Sequence, residues 1–266
     1  MSADEVVVLF GSALLSILCW GAWFIRPTFV RRFAGPGTGR LLLYLAPLVA
    51  AALLFLVLRT VSAHDVRDDP RYLAFYLVLG AAWIGVGIRS LPLAGVSARD
   101  DVVERGNVSA ATVVAGAMLA ITLCYAGGNI GDGPGWWVVV FSAGLSTLGL
   151  FVAWMLLEAL SSVSESVTIE RDVAAGVRLA AFLVAAGLIL GRSVGGDWIS
   201  AEATVADFAA AAWPALILVA VAALLERWLR PTPDNPRPSV SAYGLIPALL
   251  YLSLAFYQIS RAGTVA

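Results

Sequence analysis

The chain has 266 residues, 60% of them hydrophobic and 13% charged, with a formal net charge of −1. A soluble domain carries about a quarter charged residues, so this composition belongs to a bilayer protein. A charge so close to zero excludes a nucleic-acid partner, which calls for a basic face.

Hydrocarbon about 30 Å thick is crossed by roughly 20 apolar residues in helical conformation. Eight runs have that length: 6–25, 41–63, 72–91, 108–128, 136–160, 173–194, 208–229 and 241–260. None alternates as a barrel strand does, and lipid leaves no backbone group unpaired, so helix is the conformation expected for all of them. The fold class is therefore all-α, a polytopic bundle of about eight spanning helices. The first run follows Asp4 and Glu5 with no basic residue. A cleaved signal begins positively, so this run is expected to stay as a span. The third run is the least regular, because Arg89 and Pro92 interrupt its end. Residues 62–70, with His64, Asp65, Arg67, Asp68 and Asp69, form a polar loop. Residues 231–238 carry four prolines and read as a stiff linker. No connection is long enough to house a separate soluble domain.

A phrase recurs along the chain. Val103-Glu104-Arg105-Gly106-Asn107-Val108-Ser109-Ala110-Ala111 returns as Ile169-Glu170-Arg171-Asp172-Val173-Ala174-Ala175-Gly176. Each copy opens an apolar run, the first stopping at Ile130-Gly131-Asp132 and the second at Gly195-Gly196-Asp197. Each is followed by a second run ending in Leu156-Leu157-Glu158 or Leu224-Leu225-Glu226. A unit of about 65 residues, two spans long, is duplicated in tandem on this reading. The organisation is three helices in 1–100, a first repeat in 101–165, a second in 166–230, and a linker with a last helix in 231–266. Both copies start on the same side of the membrane, unlike the inverted repeats of many transporters.

This pattern resembles a bacterial inner-membrane family, "domain of unknown function 350". The likeness covers roughly 103–229. It rests on Glu104, Asn107, Ala110 and Ala111 in one copy and on Glu170, Asp172, Ala175 and Gly176 in the other. The resemblance implies a helical membrane fold and an inner-membrane location, and it assigns no activity and no functional residue. Relatives found beside proteins like polyamine-synthesis enzymes point to a small cationic solute.

All 17 basic residues are arginine. With the N-terminus outside, eleven fall on cytoplasmic connections, from Arg26, Arg31, Arg32 and Arg40 to Arg237, against five on the outer side. The positive-inside tendency then places both termini outside the cytoplasm.

Within the bundle, Arg178 lies about two turns into the sixth run, where a charge costs about 1–3 kcal/mol and needs a partner or a route to the headgroups. Glu158 and Asp172 are the nearest partners by sequence. Asn107 and Asp172 stand just before their helices, where each side chain can cap the first turn. Gly187, Gly191 and Gly195 share one helix face and suit close packing. Asp132 and Asp197 sit at polar turns, and Cys19 and Cys124 fall inside apolar runs as packing residues.

Histidine occurs once, so no multi-histidine haem or zinc site can be built. Ser146 lacks a base, and no phosphate-loop or dinucleotide pattern is present. Neither an enzyme nor a cofactor nor a metal is expected. The leading reading is an integral inner-membrane protein that passes a small solute or ion through the bundle, along Arg178, Thr122, Asn129, Ser146 and Thr147. The alternative is a non-enzymatic scaffold or partner-complex subunit, in which those residues are dispersed. Binding residues on these readings are Arg178, Glu158, Asp172, Asn107 and Asn129. Expected partners are the lipid bilayer, a membrane protein or second copy of the chain, and a small cationic solute.

Overall fold

Asp69 accepts the Arg71 N–H at 2.8 Å, and Pro70, whose missing N–H is harmless at a helix start, opens the third span. The run interrupted by Arg89 and Pro92 thus forms a full crossing. The computed structural model describes residues 1–30, 38–232 and 239–261. Arg31, Arg32, Arg237 and most of the proline linker lie outside the described residues.

Among the described residues the regular structure is entirely helical, with no strand, and eight helices are long and apolar enough to cross a bilayer. They are α1 (Ala3–Val30), α2 (Thr38–Thr60), α3 (Pro70–Arg89), α4 (Val108–Gly127), α5 (Trp136–Ser161), α6 (Val173–Ser193), α7 (Ala201–Leu229) and α8 (Val240–Arg261). The chain is an all-α integral membrane protein. The seventh span starts earlier than the apolar run at 208, because Ser200 accepts the Ala203 N–H and the alanine-rich stretch behind it winds as helix. It breaks at Trp213, where Pro214 removes a donor and crowds the preceding turn. The first turn of α8, Val240–Leu245, is wound as π-helix.

Small residues decide the packing. α4 and α6 are the most buried spans, and they run parallel with their backbones in contact. A Cβ on Gly116 would stand 2.7 Å from Ala180 Cα, and one on Gly187 would stand 2.8 Å from Ala120 Cα. A Cβ on Gly127 would overlap the Gly191 carbonyl. In lipid there is no water to expel from between helices, so such close fits supply the association. The glycine stripe of α6 is therefore a packing face against α4. α2 flanks α4 and α8 flanks α6, while α5 lies against α4, α6 and α7, and α1 against α3. Val7, Phe10, Leu14 and Ile17 of α1 are exposed to the surroundings of the bundle, which for this chain are lipid.

The connections before α4 and α6 share a backbone. Gly106 (φ 66°) precedes Asn107, and Arg171 (φ 56°) precedes Asp172. Asn107 N–H reaches back to the Asp101 carbonyl and Asp172 N–H to the Ser166 carbonyl, both at 2.9 Å. Each bond spans six positions, one more than the usual closure of a helix end on a left-handed residue. At the opposite face the turns after α4 and α6 are tied together. Gly196 N–H donates to the Ile130 carbonyl at 2.9 Å, and Trp198 N–H to the Asp132 carbonyl at 2.8 Å.

Candidate functional site

Arg178 is fully buried on α6, and each nitrogen of its guanidinium has an acceptor. Nε and Nη2 donate to the two carboxylate oxygens of Glu226 on α7, each at 2.7 Å, and Nη1 donates to the Tyr243 carbonyl at 2.6 Å. Asp172 Oδ2 stands 3.9 Å from Nη2. Two carboxylates thus face one guanidinium. The surplus negative charge is met by the start of α6, whose Ala174 and Ala175 N–H groups donate to Asp172 at 3.0 and 3.1 Å. The planar fork of arginine fits a carboxylate through two parallel bonds, which makes this a rigid clamp joining α6, α7 and the first turn of α8. Beside it, Tyr251 of α8 is buried edge-on against Phe182, and its hydroxyl has no hydrogen-bond partner among the described residues.

Glu158 is not the partner of Arg178. Its carboxylate turns back onto its own connection, accepting from Ser164 N–H at 2.9 Å and Ser164 Oγ at 2.6 Å. The chain reverses there through Ser162 (φ 49°), which carries Glu158 toward the short helix Val163–Thr168. Glu226 closes the second Leu-Leu-Glu phrase as Glu158 closes the first, and it is the copy that α7 presents to α6. That repetition was the one signal in the sequence that pointed to Glu226. Nothing in the sequence pointed to the Tyr243 carbonyl.

Asn107 caps α4 by accepting the Ala110 N–H at 3.2 Å, and its Nδ2 donates to the Val167 carbonyl at 2.8 Å. Ser109 Oγ donates to the Asp172 carbonyl at 2.6 Å. The two helix starts are therefore laced together, with Asp172 also part of the arginine centre. Asn129 lies at the other face, about 30 Å from the helix starts along α4. Its Nδ2 donates to the Tyr125 carbonyl, while its buried Oδ1 has no partner among the described residues. A cavity of about 40 Å³ adjoins it, lined also by Tyr76 and Ser142, large enough for a water molecule.

The other polar residues expected along a path do not converge on Arg178. Thr122 Oγ1 donates to the Met118 carbonyl of its own helix, and Ser146 Oγ donates to the Cys124 and Ser142 carbonyls. Thr147 accepts from Trp83 Nε1 at 3.2 Å. The Asp197 carboxylate accepts the Asp132 N–H at 2.8 Å, so it serves a turn. Among the described residues no three His, Cys, Asp or Glu side chains gather as metal ligands do.

A larger cavity, about 590 Å³, opens between α1, α2, α3 and the connection 91–104. Trp20, Trp23, Leu43 and Ile88 give it apolar walls, and Arg89, Arg99, Asp100 and Glu104 give it charges of both signs. In the sequence Arg89 stood out as an interruption of the third run and as one of the eleven arginines on cytoplasmic connections.

Neither the curated proteins nor the solved structures contain a match to the chain. The family model that does match, described as Domain of Unknown Function (DUF350), covers residues 68–194, which run from α3 to the end of α6. It starts and ends about one span before the stretch 103–229 that carried the resemblance. Residues 68–194, which hold the laced starts of α4 and α6 together with Arg178, are thus similar to the DUF350 family.

Proposed function

We propose that the chain is a non-enzymatic scaffold of the bacterial inner membrane, built from tandem two-helix units, rather than a path for solute. One observation carries this reading: α4 and α6 meet backbone to backbone, with Gly127 against Gly191. A bundle closed along its centre in this way leaves no passage there. The dispersed, internally bonded Thr122, Asn129, Ser146 and Thr147 support the same reading. The shared backbone before α4 and α6 supports the duplication, and the arginine balance supports termini outside the cytoplasm.

A scaffold is found in a complex, either with a second copy of itself or with another membrane protein. Extraction of the full chain from its membrane directly into polymer nanodiscs, without detergent, tests this by mass. The expected result is a discrete assembly heavier than one 27.9 kDa chain with its lipid. A chain that emerges only as a monomer overturns the scaffold reading. Vesicles containing the purified protein test the solute path for a small cation. A cation leak well above that of empty vesicles, abolished by Arg178→Ala, would favour that path instead.

A further inference from the structure

We propose that the cavity between α1, α2, α3 and the 91–104 connection holds the head of a zwitterionic glycerophospholipid, with its phosphate on Arg89 and its primary ammonium against Asp100 and Glu104. This is independent of the scaffold reading.

Size and depth agree with such an occupant. About 590 Å³ lies within the range of roughly 300–1,000 Å³ typical of small-molecule sites. Arg89 is the last residue of α3, so the charged rim sits where a span ends and headgroups begin. Trp20 and Trp23 line the cavity, as aromatic residues do at that level of a membrane. Their indole N–H groups donate to the Ala81 and Leu43 carbonyls, which fixes both rings as walls. Gly85 keeps α1 close to α3, since a Cβ there would stand 2.7 Å from Cys19 Cβ. Leu14, Ile17 and Leu18 on α1 are exposed, giving acyl chains a surface to follow outward.

The charges are arranged in two poles. Among the described residues Arg89 has no carboxylate partner. Its Nη1 donates to the Gly85 carbonyl at 3.0 Å, and its Nη2 to the Cys19 and Leu18 carbonyls at 3.3 and 3.4 Å. A phosphate offers this guanidinium shorter, charge-assisted and bidentate bonds in place of long contacts to neutral oxygens. At the other pole one cation, Arg99, serves two carboxylates, Glu104 at 3.0 Å and Asp100 at 3.8 Å. The adjoining Asp101 is matched by Arg105 at 3.1 Å, so it adds nothing to the imbalance. The buried Arg40 donates to the Val103 carbonyl and is not part of the lining. Among the described residues one pole is thus positive by one charge and the other negative by one. A head carrying both phosphate and ammonium answers both. A head with phosphate and an uncharged glycerol leaves the acidic pole unanswered.

The full chain, delipidated in maltoside detergent, is titrated with short-chain phosphatidylethanolamine and short-chain phosphatidylglycerol and read by native mass spectrometry. Phosphatidylethanolamine should bind roughly tenfold tighter than phosphatidylglycerol. Arg89→Gln should weaken the ethanolamine lipid about tenfold. The double change Asp100→Asn with Glu104→Gln should erase the preference without weakening phosphatidylglycerol. Equal affinity for the two lipids in the unaltered protein, or full affinity in Arg89→Gln, overturns the assignment. Chain-free glycerophosphoethanolamine should compete far more weakly; equal competition would assign the site to a soluble phosphodiester and overturn the lipid. Circular dichroism checks folding. If Arg89→Gln does not fold, Arg89→Lys is used, where a several-fold loss supports the site and an unchanged affinity overturns it.

Discussion

Arg178 of α6 and Glu226 of α7 face each other through two hydrogen bonds of 2.7 Å, both side chains shut away from the surroundings of the bundle. Removing one member of a buried pair leaves the other charged and unanswered, which costs roughly 3–5 kcal/mol. Arg178→Ala and Glu226→Ala should therefore each lower the unfolding temperature in detergent strongly. The double variant should recover much of the loss, since both charges leave together. Glu158→Ala combined with Arg178→Ala should show simple additivity, because Glu158 serves Ser164 instead. Additive losses for the Arg178–Glu226 cycle would sink the clamp.

Much of the fold follows from local features that a sequence displays. Asn107, Asp172 and Asp69 precede apolar runs and cap them, because a short polar side chain before a helix has free N–H groups within reach. The alternation of spans across the bilayer comes from run length alone. The choice between Glu158 and Glu226 is of another kind. Both end a Leu-Leu-Glu phrase, and which of them meets Arg178 depends on which helix packs beside α6. That is a tertiary fact, set by how α7 packs against α5 and α6. The cavity between α1, α2, α3 and the 91–104 connection was hidden for the same reason. Cys19, Arg89 and Glu104 sit on separate elements, and no spacing along the chain brings them to one place.

Asn107 supports two elements at once, as cap for Ala110 N–H and as donor to the Val167 carbonyl across the two laced helix starts. Loss of a cap costs about 0.5–2 kcal/mol. The orphaned Val167 carbonyl adds the penalty of a buried unpaired acceptor, about 1–3 kcal/mol. Asn107→Ala should therefore destabilise by more than a cap alone. Asn107→Asp keeps the acceptor for Ala110 but lacks the amide donor, and should recover only the capping part. Denaturant unfolding followed by circular dichroism separates these outcomes, and equal stability of the two variants would argue against the cross-link.

The orientation proposed from arginine placement is open to direct measurement. With eight spans the two termini share a side, and the orientation we propose from the arginine balance has that side outside the cytoplasm. A fluorescent protein that matures only in the cytoplasm should stay dark when fused to the C-terminus, while a periplasm-active phosphatase at the same place should be active. Fused after Ser162, between α5 and the short helix Val163–Thr168, the two reporters should exchange behaviour. A bright C-terminal fusion would mean the inverse topology.

The centre of the bundle makes the sharpest demand on residue size. Gly127 and Gly21 are both helical glycines, and composition alone treats them alike. A methyl group on Gly127 runs into the Gly191 backbone, while around Gly21 nothing stands within 4 Å. Adding atoms to a filled core typically costs about 1–3 kcal/mol, and a backbone neighbour cannot turn aside as a side chain can. Replacing a mid-helix glycine in open space by alanine instead stabilises by roughly 0.5–1 kcal/mol. Gly127→Ala should thus lower the unfolding temperature in detergent and weaken the contact of α4 with α6, while Gly21→Ala should leave it unchanged or raise it. Tolerance of alanine at both positions would show that α4 and α6 do not meet backbone to backbone, and the argument for a closed centre would fail with it.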